Sequence, residues 1–449
     1  MLGLGDVQAR AGDDAAAKST FLRAAEVARR CGLAEQLGRA ALGYGGRWVW
    51  TKGRGDPHLL PLLEEAVGAL PPDDSALRSR LLARLAAGPL VLQSEASRPR
   101  RFALTAEAVE IARRVGDPAV LAWALDARKV AIWAPDTLEE QWEIMDELAE
   151  LAERVGDPEQ IVDARICRLI KLIERAALDR FDTEFTAARQ VAEALGQPGQ
   201  RWLVAVHEPM YALLTGRLAG TERLIERAFE LGRSSIPWNA RISRLRQRVV
   251  LASLEGRPGD VEPELAAAAE EEVYYPSLRA ALASLYAELG DASGCRASLR
   301  ALSGDGFAAI PFDDLWVMTV GLLADACSFL DDTKSAASLY ERLEPYAHRN
   351  LVAPVEASLG SAARPLGKLA ATLGDVRGAA RWFERAADEN ERSGALPFAA
   401  HARLDHAHLL LAAGDHPSGE ALLERAAATY RALGMKSWAA RCEVATTAA

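Results

Sequence analysis

Cysteine is scarce and scattered in this chain. Its five residues, Cys31, Cys167, Cys295, Cys327 and Cys442, are odd in number and form no CxxC pair. That excludes the usual zinc-binding and redox-exchange patterns, and leaves five small side chains expected inside helices. No excess of basic residues exists either: 53 Lys and Arg stand against 63 Asp and Glu, a formal net charge of −10. Proteins that draw their affinity from neutralising phosphates are usually basic over the contacting domain, so direct nucleic-acid binding is not expected. Nowhere do about 18 uncharged apolar residues run together, and no membrane span is expected. Met1 to Arg10 contains Gly3, Gly5 and Asp6 and lacks the basic start and apolar core of a secretory signal. A soluble, cytoplasmic protein is the expectation. Alternation of β-branched residues long enough for a sheet is also missing.

What the chain does have is a globular balance, with 50% hydrophobic and 26% charged residues. Ala, Leu, Glu and Arg dominate, and apolar residues recur at helical spacing, so the reading is all-α. Glycine punctuates it in two alternating series. One series predicts turns inside helical hairpins: Gly12-Asp13, Gly216, Gly256, Gly290-Asp291, Asp331-Asp332, Gly374-Asp375 and Gly414-Asp415. The other predicts the end of each second helix: Gly32, Gly116, Gly156, Gly196, Gly232, Gly394 and Gly434. Within each series the step is near 40 residues, which predicts about eleven hairpins. Some are marked weakly, with turns near Gly53 to Pro57, Ser97 to Arg100, Pro135 to Thr137 and Asp179 to Asp182. A single hairpin cannot bury its own apolar face, so hairpins must stack in series, as an α-solenoid with a concave side.

Specific residues carry a resemblance as well. Leu366, Gly367, Gly374, Asp375, Ala379, Phe383 and Ala386 resemble the tetratricopeptide repeat (TPR) pattern, and Leu4, Gly5, Gly12, Asp13, Ala17, Phe21 and Ala24 repeat it. Leu323, Ala324, Ala336 and Tyr340 follow it more weakly. Small Gly367 and Ala379 suit a close helix crossing, and Phe383 fills the gap beside them. The opening LGDVQARAGDDAAAKSTFLRAAEVARRCG with RAALGYGGRWVW, and the closing PFAAHARLDHAHLLLAAGD with ALLERAAATYRALGM, are similar to the repeat region of large bacterial signalling ATPases. These are LuxR/MalT-type transcriptional regulators and adenylate-cyclase-fused relatives. The resemblance implies TPR-like helical-hairpin repeats stacked as a right-handed superhelix, without the ATPase or DNA-binding domain of those relatives. Residues 1–449 then form one array, with 1–32 a truncated first repeat and 435–449 a capping helix in which Trp438 and Val444 pack inward. Leu2, Leu4 and Val7 would leave an apolar edge at the first repeat, where a preceding ATPase domain or split partner would dock.

No catalytic constellation emerges. Gly367-Lys368-Leu369 is the nearest approach to a phosphate-cradling loop, yet Ala362 and Leu369 replace its glycine and hydroxyl. Gly43, Gly45 and Gly46 read as a helix end. His401, Asp405 and His408 share one helical face and form a weak metal candidate, while the expectation is no metal and no cofactor. Asp313-Asp314 and Asp331-Asp332 lack the spacing of a pyrophosphate-binding motif and read as helix starts.

The remaining candidates are contact residues on first helices: Trp123 and Arg128, Arg165 and Arg168, Trp202 and His207, then Arg241, Arg244 and Arg248. Together they would make a positive, aromatic trough for an acidic peptide or phosphorylated ligand. Arg47, Trp48, Trp50, Lys52 and Arg54 form a second candidate patch. The functional expectation is a non-enzymatic protein–protein interaction scaffold or sensor, binding a peptide, effector or neighbouring domain in its groove. A free-standing TPR adaptor is one alternative. A helical-toroid enzyme with dispersed carboxylates, marked by a closed ring around an acidic cavity, is the other.

Overall fold

Many helices of this chain stop where the backbone turns left-handed, and several restart where an aspartate caps them. A computed structural model describes residues 1–46, 56–87 and 97–448. Gly12, Gly32, Gly116, Gly156, Gly196, Gly216, Gly256, Gly290, Gly374, Gly394, Gly414 and Gly434 all have positive φ, and Asp331 takes the same conformation without being glycine. The side chains of Asp13, Asp117, Asp291, Asp332, Asp375 and Asp415 accept backbone N–H groups of the helices that follow them. Each such cap contributes about 1 kcal/mol. Gly232 departs from the expected series. It is the last residue of the helix Thr221–Gly232 with ordinary φ, and its smallness serves packing: a Cβ there would come within 2.4 Å of the Trp202 indole.

The chain divides into two compact units, one of Met1–Leu169, Thr183–Ala205 and Ala228–Arg241, the other of Ile170–Asp182, Val206–Arg227 and Ile242–Ala449. In the first, the helix pairs Leu2–Arg10 with Asp14–Arg30, Ala34–Gly45 with Leu59–Ala69, Ala76–Ala86 with Arg98–Val115, and Pro118–Ala131 with Leu138–Val155 follow one another. First helices pack on the next first helix as well as on their own partners, whereas second helices make no comparable contact with each other. That asymmetry places first helices on the inner side of the stack. The repeat signature is literal. Phe21 lies against both Gly5 and Gly43, where a Cβ would come within 2.7 and 2.2 Å of its ring. Of the expected apolar edge, Leu4 and Val7 are exposed, whereas Leu2 is partly buried against the core that holds Phe21.

In the second unit the pairs are Pro276–Leu289 with Ala292–Leu302, Trp316–Leu330 with Thr333–Leu343, Ala363–Thr372 with Val376–Ser393, and Leu396–Ala412 with His416–Ala432, followed by Lys436–Ala448. Here too Phe383 fills the space left by Gly367, at 2.5 Å from where its Cβ would be. The unit closes on itself. Leu213, Ile225, Val250, Leu251 and Leu254 share one core with Leu404, Leu423, Tyr430 and Met435, and Trp438 Nε1 donates to the Ser253 carbonyl at 2.8 Å. The fold is an all-α array of TPR-like hairpins. One feature falls outside the sequence reading: strands Asn350–Ala353 and Ala357–Ser361 pair antiparallel, Val352 opposite Ser358. With four and five residues, they are too short to show alternation. Most of this hairpin is buried, Glu356 at its turn included. A second difference concerns the thiols: Cys31 is exposed, and the other four cysteines are buried.

Candidate binding surface

First helices of the second unit carry a line of charged side chains at one-repeat spacing. Ser284 on Pro276–Leu289 donates to Asp325 Oδ2 on Trp316–Leu330 at 2.7 Å. Lys368, on Ala363–Thr372, donates to the other oxygen of Asp325 at 2.7 Å and stands 3.9 Å from Asp405 on Leu396–Ala412. Arg364, one turn before Lys368, gives its Nε to Asp405 at 2.8 Å. The row therefore alternates in sign across three successive first helices. It is not sealed: Asp325, Lys368, Arg364 and Asp405 each keep about a fifth of their side-chain surface accessible (23, 19, 22 and 18%).

Around the row sit groups with unused bonding capacity. Arg364 bonds only through Nε among the described residues, leaving both Nη groups without protein acceptors. Arg441 stacks over the Trp438 ring at 4.2 Å and, among the described residues, makes no hydrogen bond or ion pair. Glu288 accepts from Ser253 at 2.7 Å through Oε2, while its enclosed Oε1 has no partner among the described residues. Burial pushes the Glu288 carboxyl above its ordinary range. For Asp325, burial pushes the same way, but Lys368 and then Arg364 outweigh it and hold the carboxyl low. His401 Nδ1 lies 2.8 Å from the Tyr430 hydroxyl, its ring 4.4 Å from that of Trp438. Burial, then Arg364 and Lys368, keep His401 neutral, with its pKa well below the usual value. Glu288, Asp325 and Asp405 are balanced by Arg364, Lys368 and Arg441, so this is not an acidic cavity.

A second polar cluster of the unit is fully enclosed. Arg246 and Glu356 each have 3% of their side-chain surface accessible, and Arg246 Nε reaches Glu356 Oε2 at 2.6 Å. Arg246 also donates to Ser277 Oγ at 3.1 Å, and Tyr275 OH donates to Glu356 Oε1 at 2.6 Å. The β-hairpin thus delivers its own carboxylate to the first helices.

The residues expected to form a positive trough are placed differently from one another. Trp123, Arg128, Arg165, Arg168, Trp202 and Arg241 belong to the first unit, and His207, Arg244 and Arg248 to the second. Trp202 and His207 are wholly buried and can touch no partner from where they stand; Trp202 fills the gap that Gly232 leaves. Trp123 donates to the Arg80 carbonyl at 3.2 Å. Arg128 pairs with Glu140, Arg165 with Glu184, Arg168 with Glu153, and both Arg244 and Arg248 with Glu264. Carboxylates of the chain itself thus offset this positive charge. Arg47, Trp48, Trp50, Lys52 and Arg54 lie outside the described residues, as does the Val444 side chain.

Other sequence candidates resolve into local roles. Asp405 belongs to Arg364 and His401 to Tyr430, while His408 is exposed; among the described residues no three His, Cys, Asp or Glu are grouped to hold a metal. Asp332 caps the helix Thr333–Leu343 by accepting from Ser335 N at 3.0 Å, whereas Asp313 accepts from Leu315 N just ahead of Trp316–Leu330, a helix with no side-chain cap. Gly45 ends the helix Ala34–Gly45, and Lys368 sits inside one. Among the described residues no helix is long and apolar enough to cross a membrane.

Comparison with known proteins adds little. No known family profile matches the sequence, and no curated protein does. Among solved structures the chain is similar to yeast Tom70, at 14% identity over 89% of this chain and 88% of that one, with a TM-score of 0.40. It is also similar to a chain of Naa15/Naa10 bound to HypK-THB, at 14% identity over 92% and 63%, with a TM-score of 0.21. A circular tandem repeat protein matches at 17% over 98% and 96%, with a TM-score of 0.15. At such TM-scores these likenesses carry no argument, and the fold assignment rests on the helix pairs and glycine–phenylalanine contacts above.

Proposed function

We propose that this chain is a non-catalytic repeat scaffold whose second unit receives an extended protein segment along its first helices. The observation that supports this reading is the bonding capacity there: donors on Arg364 and Arg441 and the part-exposed carboxylates of Asp325 and Asp405, beside a partly exposed tryptophan. An extended main chain offers N–H and C=O groups alternately and matches a surface carrying both kinds. An acidic side chain on the segment suits the two guanidinium groups. The setting we propose is the sensor part of a cytoplasmic bacterial signalling ATPase or transcription regulator, which rests on the resemblance of the first and last repeats. A free-standing adaptor uses the same surface.

An array of extended peptides of about a dozen residues tests the binding. Peptides with an acidic residue should bind, and Arg364→Ala combined with Arg441→Ala should weaken them tenfold or more. Arg392→Ala, on an exposed second helix, should change nothing, and circular dichroism should match throughout. Equal binding by all three proteins, or no binding by the wild type, refutes the reading. The regulatory setting has its own test: a P-loop ATPase domain encoded next to this chain should bind it and change its rate of ATP hydrolysis.

A further inference from the structure

In the first unit a lysine amine and a cysteine thiol are held against each other inside the core. Lys129 lies on Pro118–Ala131 and Cys167 on Pro158–Glu174, neighbouring first helices. Their Nζ and Sγ atoms are 3.1 Å apart. Asp126, one turn earlier on the lysine's own helix, places Oδ1 2.6 Å from Nζ. Lys129 and Cys167 are 5% and 3% exposed, whereas Asp126 keeps 28% of its side chain accessible. A lysine is almost never this deep unless it is paired, and Asp126 is that pair. The amine nevertheless also faces a thiol at contact distance.

We infer that Lys129 and Cys167 form an oxidative cross-link site: a peroxide oxidises the thiol to a sulfenic acid, and the lysine amine captures it as a sulfenamide joining adjacent hairpins. In the first step sulfur attacks hydrogen peroxide, the S–O bond forms as the O–O bond breaks, and one water leaves with the thiol proton. Sulfur loses two electrons and peroxide gains them. In the second step the Lys129 ammonium passes a proton to Asp126. The freed amine attacks sulfur, the S–O bond breaks, and hydroxide departs as water with a second proton from nitrogen. One proton reaches solvent through the accessible Asp126 carboxylate, and no further oxidant is consumed. Sulfenic acids condense in this way with thiols and with backbone nitrogen; here the amine is already at contact distance. The bond would remove the lysine charge, leave Asp126 unpaired and tie together the helices that carry Arg128 and Arg165. The proposal is independent of the peptide reading, which concerns the other unit.

Full-length protein is exposed to graded hydrogen peroxide, its residual thiols are alkylated, and its peptides are mapped without reduction. Exposed Cys31 reports the dose within the same molecule. The expected product is a linked pair of peptides containing Lys129 and Cys167, lighter by about 2 Da than their sum and released by a thiol reductant. Lys129→Arg keeps a cation beside Asp126 and should divert Cys167 to products heavier by about 16 or 32 Da. Cys167 still reduced when Cys31 is fully oxidised, Cys167 oxidised with Lys129 unlinked, or a link to another lysine overturns the proposal. The wild-type map alone decides among these outcomes, so the result stands even if the arginine variant folds poorly.

Discussion

Replacing Glu356 by alanine removes one carboxylate from the enclosed cluster and should be among the costliest single changes in the second unit. Arg246 would keep its charge with 3% of its side chain accessible and no carboxylate beside it. Breaking a buried pair from one side costs about 3–5 kcal/mol, because the remaining ion stays desolvated. Tyr275 OH also loses its bond to Glu356 Oε1, which adds about 1 kcal/mol. Urea unfolding followed by tryptophan fluorescence should therefore show a loss of about 4 kcal/mol or more. The informative comparison is the combined variant Arg246→Met, Tyr275→Phe and Glu356→Leu, which withdraws the charges and the hydroxyl together. Apolar replacement of a whole buried pair is often neutral or stabilising, so the triple variant should recover most of the loss. Arg248→Met, which breaks a partly exposed pair with Glu264, should cost no more than about 1 kcal/mol. A Glu356→Ala cost below about 1 kcal/mol would refute the reasoning, as would a triple variant less stable than the single one.

Gly367→Ala should destabilise by about 1–3 kcal/mol, since its Cβ would overlap the Phe383 ring and the core must shift; thermal unfolding measures this. Gly116→Ala has open space around it and only a left-handed φ to oppose it, so about 1 kcal/mol is expected there. His401, held neutral in the folded state with its pKa below the ordinary value, binds a proton more readily when unfolded. Its contribution is thus full above about pH 6.5 and is lost on acidification at up to about 1.4 kcal/mol per pH unit. Denaturation at pH 7 and 5.5 should show that slope, and His401→Gln should lack it; an unchanged slope refutes the assignment. Native protein treated with a thiol-reactive chromophore should release one equivalent quickly, from Cys31, and the rest only on unfolding.

What the sequence made legible, and what it did not, divides along the range of the interactions involved. Helix ends are local events, and the glycine and aspartate that produce them stand next to each other in the chain. The period of about 40 therefore reappears in contacts such as Arg364 with Asp405 and Ser284 with Asp325, each 41 residues apart. Phe383 over Gly367 was legible for the same reason, since a repeat supplies both partners within one hairpin. The contact residues were harder, because helical direction decides them and a single position changes the answer. Arg244 and Arg248 are one turn apart and meet Glu264, while Arg246 between them points into the core and meets Glu356, 110 residues away. Nothing near Arg246 in sequence announces that partner, which arrives on a hairpin too short to show a strand pattern. Trp202 was misplaced by the same ambiguity. An aromatic on a first helix suits the inner wall or the helix crossing equally well, and only Gly232, an apparent helix stop, shows on inspection of its φ that it made room for the indole. The charged row on the second unit's inner helices was visible only in fragments: Lys368 as a failed phosphate loop and Asp405 as half a metal site. Both fragments were sound observations of charge on a first helix. Their meaning depended on Asp325 and Arg364, and those belong to the row only once the first helices stack.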